Sequence, residues 1–196
     1  MIAAITQIDT SILFFIAEHF RTDFLDALMQ AMSQIGDRGV VWILLGVFLI
    51  ARDKTRPAGV ALLLALLCAH LLGNEVLKPL IDRPRPCDIY PGELHLISRP
   101  GGSSFPSGHT ITAFASAVAL AVFRHRQGAL AMILAALIAL SRLYLFVHWP
   151  SDVLAGAVLG GAIGLAAAGL VKLVLRRRAA KRPQNPADAP PPPAEK

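Results

Sequence analysis

The chain has 196 residues, of which 55% are apolar and only 16% charged, against roughly 25% charge in ordinary soluble domains. With a mean hydropathy of +0.56 and two Cys, it is neither disordered over most of its length, nor a disulfide scaffold, nor an extended coiled coil. An all-α fold is expected: a polytopic transmembrane helical bundle of five to six crossings. The formal net charge of +6 would suggest nucleic acid in a soluble chain, so the positions of the charges decide its meaning.

Residues 1–34 read as N-terminal membrane-associated helices. Ser11 to Phe20 and Thr22 to Ile35 are apolar but punctuated by Glu18, Arg21, Asp23 and Asp26, so they form one more crossing or two helices lying at the interface. No basic stretch precedes the first apolar run, which speaks against a cleaved signal peptide. A core over residues 35–178 follows, with candidate crossings at Ile35–Ala51, Ala58–Leu77, Phe105–Phe123, Ala129–Val147 and Val153–Leu175. Residues 179–196 turn to Pro, Ala and a few charges, the composition of a disordered tail.

The basic residues set the orientation. Arg52, Lys54 and Arg56 fill one short connection, Arg124 and Arg126 another, and Lys172, Arg176, Arg177, Arg178, Lys181 and Arg182 cluster at the end of the last crossing. Counting crossings puts all three clusters on one side, the cytoplasm by the positive-inside rule. Most of the charge excess therefore orients the chain, and no nucleic-acid partner is expected. The long connection from Lys78 to Ser104 must face outward, yet it carries Lys78, Arg83, Arg85 and Arg99. Cations on that side call for an anionic ligand.

Three motifs fall at this outer boundary. In Lys78-Pro-Leu-Ile-Asp-Arg-Pro-Arg85-Pro86, Pro79 is expected to end a helix with Lys78 at the boundary. Ammonium and guanidinium are complementary grips on a phosphate, although snorkelling to lipid headgroups accounts for this motif alone equally well. Pro106-Ser107-Gly108-His109 opens an apolar helix, with Pro suited to the first turn, a Ser107 hydroxyl, a Gly108 amide open to close approach and free N–H groups facing an oxyanion. By itself it is also compatible with a plain N-cap and a surface His.

In Ser141-Arg142…His148…Asp152, Arg142 lies six residues before His148, about 9 Å down a continuous helix. An arginine at that depth marks function by default. Asp152 is expected to hold one imidazole nitrogen of His148 and leave the other free. Together these groups suit phosphoryl transfer. His148 is the nucleophile, His109 the acid for the leaving oxygen and Asp152 the orienter; Lys78, Arg85, Arg142, Ser107 and Gly108 bind the phosphoryl oxygens. A two-metal phosphatase needs clustered carboxylates, whereas Asp82, Asp88 and Glu93 are scattered among cations; no metal and no cofactor is expected.

Lys-x6-Arg-Pro, Pro-Ser-Gly-His and Ser-Arg-x5-His-x3-Asp, in this order, resemble the three signature motifs of the type 2 phosphatidic acid phosphatase (PAP2) superfamily, with all eleven fixed positions matched. The resemblance implies a metal-independent membrane lipid phosphatase, usually of six crossings, with the same three residues in the same roles. Short bacterial chains of this kind resemble undecaprenyl-diphosphate and phosphatidylglycerophosphate phosphatases. Undecaprenyl diphosphate is therefore the favoured substrate, with phosphatidylglycerophosphate, phosphatidic acid and lipid A phosphate as alternatives, and a non-catalytic lipid-phosphate binder as a different class. The expected location is the bacterial inner membrane, with the site facing the periplasm or exterior and the tail cytoplasmic.

Among other residues, Glu75 is expected to support Lys78, and His70 to be a hydrogen-bonded interior His. His95 and Arg99 fit either a cover over the headgroup or a solvated loop. Arg83 offers a shorter register than Arg85, and the longer spacing is preferred. Cys68 and Cys87 are not expected to pair.

Overall fold

A computed structural model describes residues 2–93 and 96–180; His95 and the tail from residue 181, with Lys181 and Arg182, lie outside the described residues. Every regular element among the described residues is helical. In chain order these are α1 (Ile2–His19), α2 (Asp23–Ile35), a 3-10 turn (Asp37–Gly39), α3 (Val40–Ile50), α4 (Arg56–His70), a π-helical stretch (Leu71–Leu77), α5 (Lys78–Ile81), α6 (Pro86–Ile89), a 3-10 turn (Pro91–Glu93), α7 (Gly108–Ala121), α8 (His125–Tyr144) and α9 (Pro150–Ala180).

By length and apolarity, three helical segments suffice to cross a membrane: 56–89, 125–144 and 150–180. The segments Asp23–Ile35 and Asp37–Ile50, bent by 45° at their junction, make a fourth if they count as one span. At 14 residues, α7 is about 21 Å long, short of the ~30 Å hydrocarbon layer. Length and composition thus support three to four crossings, where five to six were expected.

The core helix is α7, packed between α4, α8 and α9. Small residues make this closeness possible. Ala113, Ala115, Ala117 and Ala119 are buried on α7, and a Cβ on Gly160 or Gly164 of α9 would stand 2.4 Å from the Ile111 carbonyl or 2.6 Å from the Ala115 carbonyl. The two backbones touch without intervening side chains, the small-residue mode by which helices associate in lipid. This contact carries the start of α9 against the start of α7, and Ser107 N–H donates to the Asp152 carbonyl at 3.3 Å. Large apolar side chains such as Leu44, Leu130, Leu154 and Val158 point outward, as a lipid-facing surface requires.

Three helix boundaries differ from expectation. Pro79 does not end its helix: the chain stays helical through Ile81 and stops at Asp82, whose φ is 42°. The π-helical stretch just before it widens the backbone, which accommodates the missing N–H and the bulk of the ring. Pro106 stands outside α7, whose first residue is Gly108. Helix α8 stops at Tyr144, and Phe146 takes a left-handed φ of 59°, so Arg142 and His148 do not share a helix. Elsewhere, His70 is exposed, with Asn74 Nδ2 2.9 Å from its Nδ1 and Glu75 at 4.0 Å from its Nε2. Glu75 thus faces His70, and its charge also acts on the Lys78 ammonium as expected. Both cysteines are free.

Helix direction sorts the charges. Lys78, the start of α7, the end of α8 and the start of α9 fall at one set of helix ends, and Arg52–Arg56, Arg124–Arg126 and Arg176–Arg178 at the other.

Candidate active site

His148 lies in the connection between α8 and α9 and is 2% exposed. Its Nδ1 is 2.8 Å from the Ser104 carbonyl, and its Nε2 is 3.2 Å from Arg85 Nη1. A carbonyl only accepts and a guanidinium only donates, so Nδ1 carries the proton and Nε2 keeps its lone pair. Burial holds this imidazole far below its ordinary 6.5, at about 3; the charges of Arg142 and Arg85 push the same way, and the nearby Asp152 carboxylate opposes them. His148 is neutral, with its Nε2 lone pair directed at a cation.

Asp152 does not hold His148 as expected. Its Oδ2 is 3.8 Å from Nδ1 and instead accepts from Ser104 Oγ at 2.5 Å and from the Trp149 amide at 2.9 Å. Ser104 therefore stands between carboxylate and imidazole, offering its carbonyl to one and its hydroxyl to the other. The sequence reading missed Ser104, which precedes the second motif by two residues; its only signal was its place in the run Gly101-Gly-Ser-Ser104.

The cations fall into two groups. Arg85, 3% exposed, is fixed by carbonyls: Nε donates to Gly102, Nη2 to Gly101 and Ser103, and Nη1 to Val147. Arg142, also 3% exposed, donates to Ser33 Oγ, and its buried Nε has no partner. Among the described residues, neither guanidinium nor the Lys78 ammonium forms an ion pair with a carboxylate. Arg83 is the opposite case, bridging Asp9 at 2.7 Å and Asp152 at 2.6 Å. Both registers that the first motif allows are thus in use, in different surroundings. Arg99 pairs with Asp88 at 2.6 Å.

Lys78 Nζ reaches over the first turn of α7, and a Cβ at Gly108 would lie 3.3 Å from it and 3.0 Å from Asn74 Oδ1; only glycine leaves this passage open. Ser107 is fully buried, its Oγ accepting from Thr110 Oγ1 at 2.9 Å. The oxygen expected to face a ligand accepts from within the helix, which leaves its own O–H to donate. His109 lies 4.0 Å from Asp37 and packs against Gly36.

A cavity of about 560 Å³ opens between α3, α4 and α7. Lys78, Asn74, Gly108 and His109 form its polar end, and Ile43 and Leu67, both exposed to the surroundings, belong to its apolar wall. Arg85, Arg142 and His148 are not among its lining residues.

The profile of the PAP2 superfamily matches residues 58–176. The chain is 36% identical over 137 residues to an undecaprenyl-diphosphatase of Sulfolobus acidocaldarius, covering 69% of this chain and 66% of that protein. It is 30% identical over 175 residues to a lipid A 4'-phosphatase of Bacteroides thetaiotaomicron, covering 82% and 76%. It spans between about half and two thirds of the first curated relatives it matches. Among solved structures, a transmembrane PAP2 type phosphatidylglycerolphosphate phosphatase from Bacillus subtilis superposes with a TM-score of 0.73 at 27% identity, over 87% of this chain and 88% of that one. The matched segment contains all three motifs and the buried imidazole among cations, and the chain belongs to the PAP2 superfamily.

Proposed function

We propose that this protein is an integral-membrane phosphatase that removes the terminal phosphate from a lipid phosphate or diphosphate on the outer membrane face, with undecaprenyl diphosphate the favoured substrate. The observation that carries this reading is the pair of buried guanidinium groups that form no ion pair with a carboxylate, beside an imidazole whose Nε2 is unprotonated. A buried cation without a counter-charge is costly, and a phosphoryl group supplies the missing charge through paired acceptor oxygens. Outward orientation rests on the basic clusters at the opposite helix ends.

The chemistry follows from the donors. Nε2 of His148 attacks phosphorus as the bond to the leaving oxygen breaks, while Arg85, Arg142, Lys78 and the amides opening α7 stabilise the equatorial oxygens. His109 gives its proton to the leaving oxygen, releasing the shortened lipid. His109 then takes a proton from water, which attacks the phosphohistidine, releasing inorganic phosphate and restoring neutral His148. The imidazolium present between these steps donates from Nδ1 to Ser104, backed by Asp152. A headgroup at the polar end of the cavity lets the hydrocarbon leave along the apolar wall towards the bilayer.

The names of the relatives support a lipid substrate and differ on which one. The test is a panel of undecaprenyl diphosphate, phosphatidylglycerophosphate, phosphatidic acid and lipid A assayed side by side with purified protein. Phosphate release from undecaprenyl diphosphate at the highest kcat/KM, abolished in His148→Ala, supports the proposal. Binding without release in either form identifies a lipid-phosphate binder instead.

A further inference from the structure

Asp9 lies in α1, outside the three motifs and 74 positions before Arg83, yet it is 2% exposed and wired to the catalytic turn. Its Oδ1 accepts from the Ser151 amide at 2.9 Å, and its Oδ2 accepts from Ser151 Oγ at 2.5 Å and Arg83 Nη2 at 2.7 Å. Arg83 Nη1 then reaches Ser151 Oγ at 2.7 Å and Asp152 Oδ1 at 2.6 Å. Its backbone also anchors the segment carrying Ser104, because the Arg83 carbonyl accepts from the Ser104 amide at 2.8 Å. A continuous chain of contacts thus leads from Asp9 through Arg83 and Asp152 to Ser104 and the Nδ1 side of His148.

Charge bookkeeping gives the chain its purpose. Asp152 and Arg83 alone sum to zero, which leaves an imidazolium at His148 without a net counter-charge behind it. Asp9 adds the second carboxylate, so the cluster carries one net negative charge where the reaction generates a positive one. We infer that Asp9 and Arg83 are positioning residues for the nucleophile, with α1 supplying the negative charge that balances the phosphohistidine intermediate. This rests on the phosphohistidine reading above.

Full-length Asp9→Asn, Asp9→Asn/Arg83→Gln and His148→Ala, assayed in detergent with undecaprenyl diphosphate, test it. Asp9→Asn should lose kcat by about ten- to hundredfold, the range typical of supporting partners around a reactive centre. KM and inhibition by inorganic phosphate should stay near wild type, since the front cations are untouched. Removing Arg83 as well returns the cluster to one net negative charge, so the double variant should recover most of the lost kcat; a merely structural clamp predicts a double variant worse than the single. Wild-type kcat in Asp9→Asn, or no recovery in a folded double variant, overturns the inference. Should Asp9→Asn not accumulate, the double variant is read alone: kcat within about tenfold of wild type supports the charge argument, and an inactive folded protein overturns it. Turnover surviving in His148→Ala would sink the phosphohistidine reading and this inference with it. A dead His148→Ala beside a fully active Asp9→Asn sinks the inference alone.

Discussion

The two faces of His148 are built on opposite rules. Behind it, on the Nδ1 side, two carboxylates share one guanidinium: Asp9 and Asp152 both pair with Arg83 within 2.7 Å, and Ser104 links them to the ring. In front, on the Nε2 side, Arg85 is held only by carbonyls and the ring itself, while Arg142 meets one hydroxyl. Two arginines two positions apart in one loop thus meet different fates. The paired one contributes to scaffold, because a satisfied cation has little to offer a ligand. The other has no carboxylate paired with its guanidinium, which costs stability and favours an anion.

The largest effect should come from the ring between the faces. His148→Ala is expected to lower kcat at least about a thousandfold, measured as phosphate release. Next come the arginines, whose removal should move stability in opposite directions. Arg83→Met leaves two buried carboxylates uncompensated and should cost about 3–5 kcal/mol. Arg142→Met replaces an unpaired buried cation and should raise stability by about 1–3 kcal/mol while kcat/KM falls about a hundredfold or more. Thermal unfolding in one detergent, with and without vanadate, checks both; vanadate should stabilise wild type far more than Arg142→Met.

Smaller effects sharpen the contrast. Gly108→Ala crowds Lys78 and Asn74 and should lower kcat/KM about tenfold with little loss of stability. The folded His148 takes a proton only near pH 3, whereas the unfolded ring does so near its ordinary 6.5. Its contribution against folding is therefore absent above that value and grows as pH falls towards 3. His148→Gln should lose less thermal stability than wild type on moving from pH 7 to pH 4. Least of all, EDTA should leave turnover unchanged, since the proposed grip on phosphate is entirely cationic side chains and amides.

The front of the site was legible in the sequence because cations among apolar runs have nowhere to hide: Lys78, Arg85 and Arg142 stand out in any scan for charge. The back was not. Asp9 looks like ordinary punctuation in a half-polar N-terminal helix, and its partner is 74 positions away. Ser104 acts largely through its carbonyl, which no residue type advertises. Helix ends were also misjudged where the apolar run outlasts the helix. Leu145-Phe146-Val147 reads as membrane span, yet Phe146 turns left-handed and its buried ring packs edge-on against the partly buried Phe14 and Tyr90. The all-α architecture was readable from composition, and the PAP2 core from three spaced motifs.

Rapid-quench trapping with terminally labelled undecaprenyl diphosphate, followed by peptide mapping, addresses the whole scheme at once. A phosphoryl group on Nε2 of His148 that forms and decays at the pace of turnover is the result the two-faced site predicts. Full turnover with the label passing to water without visiting residue 148 would contradict it.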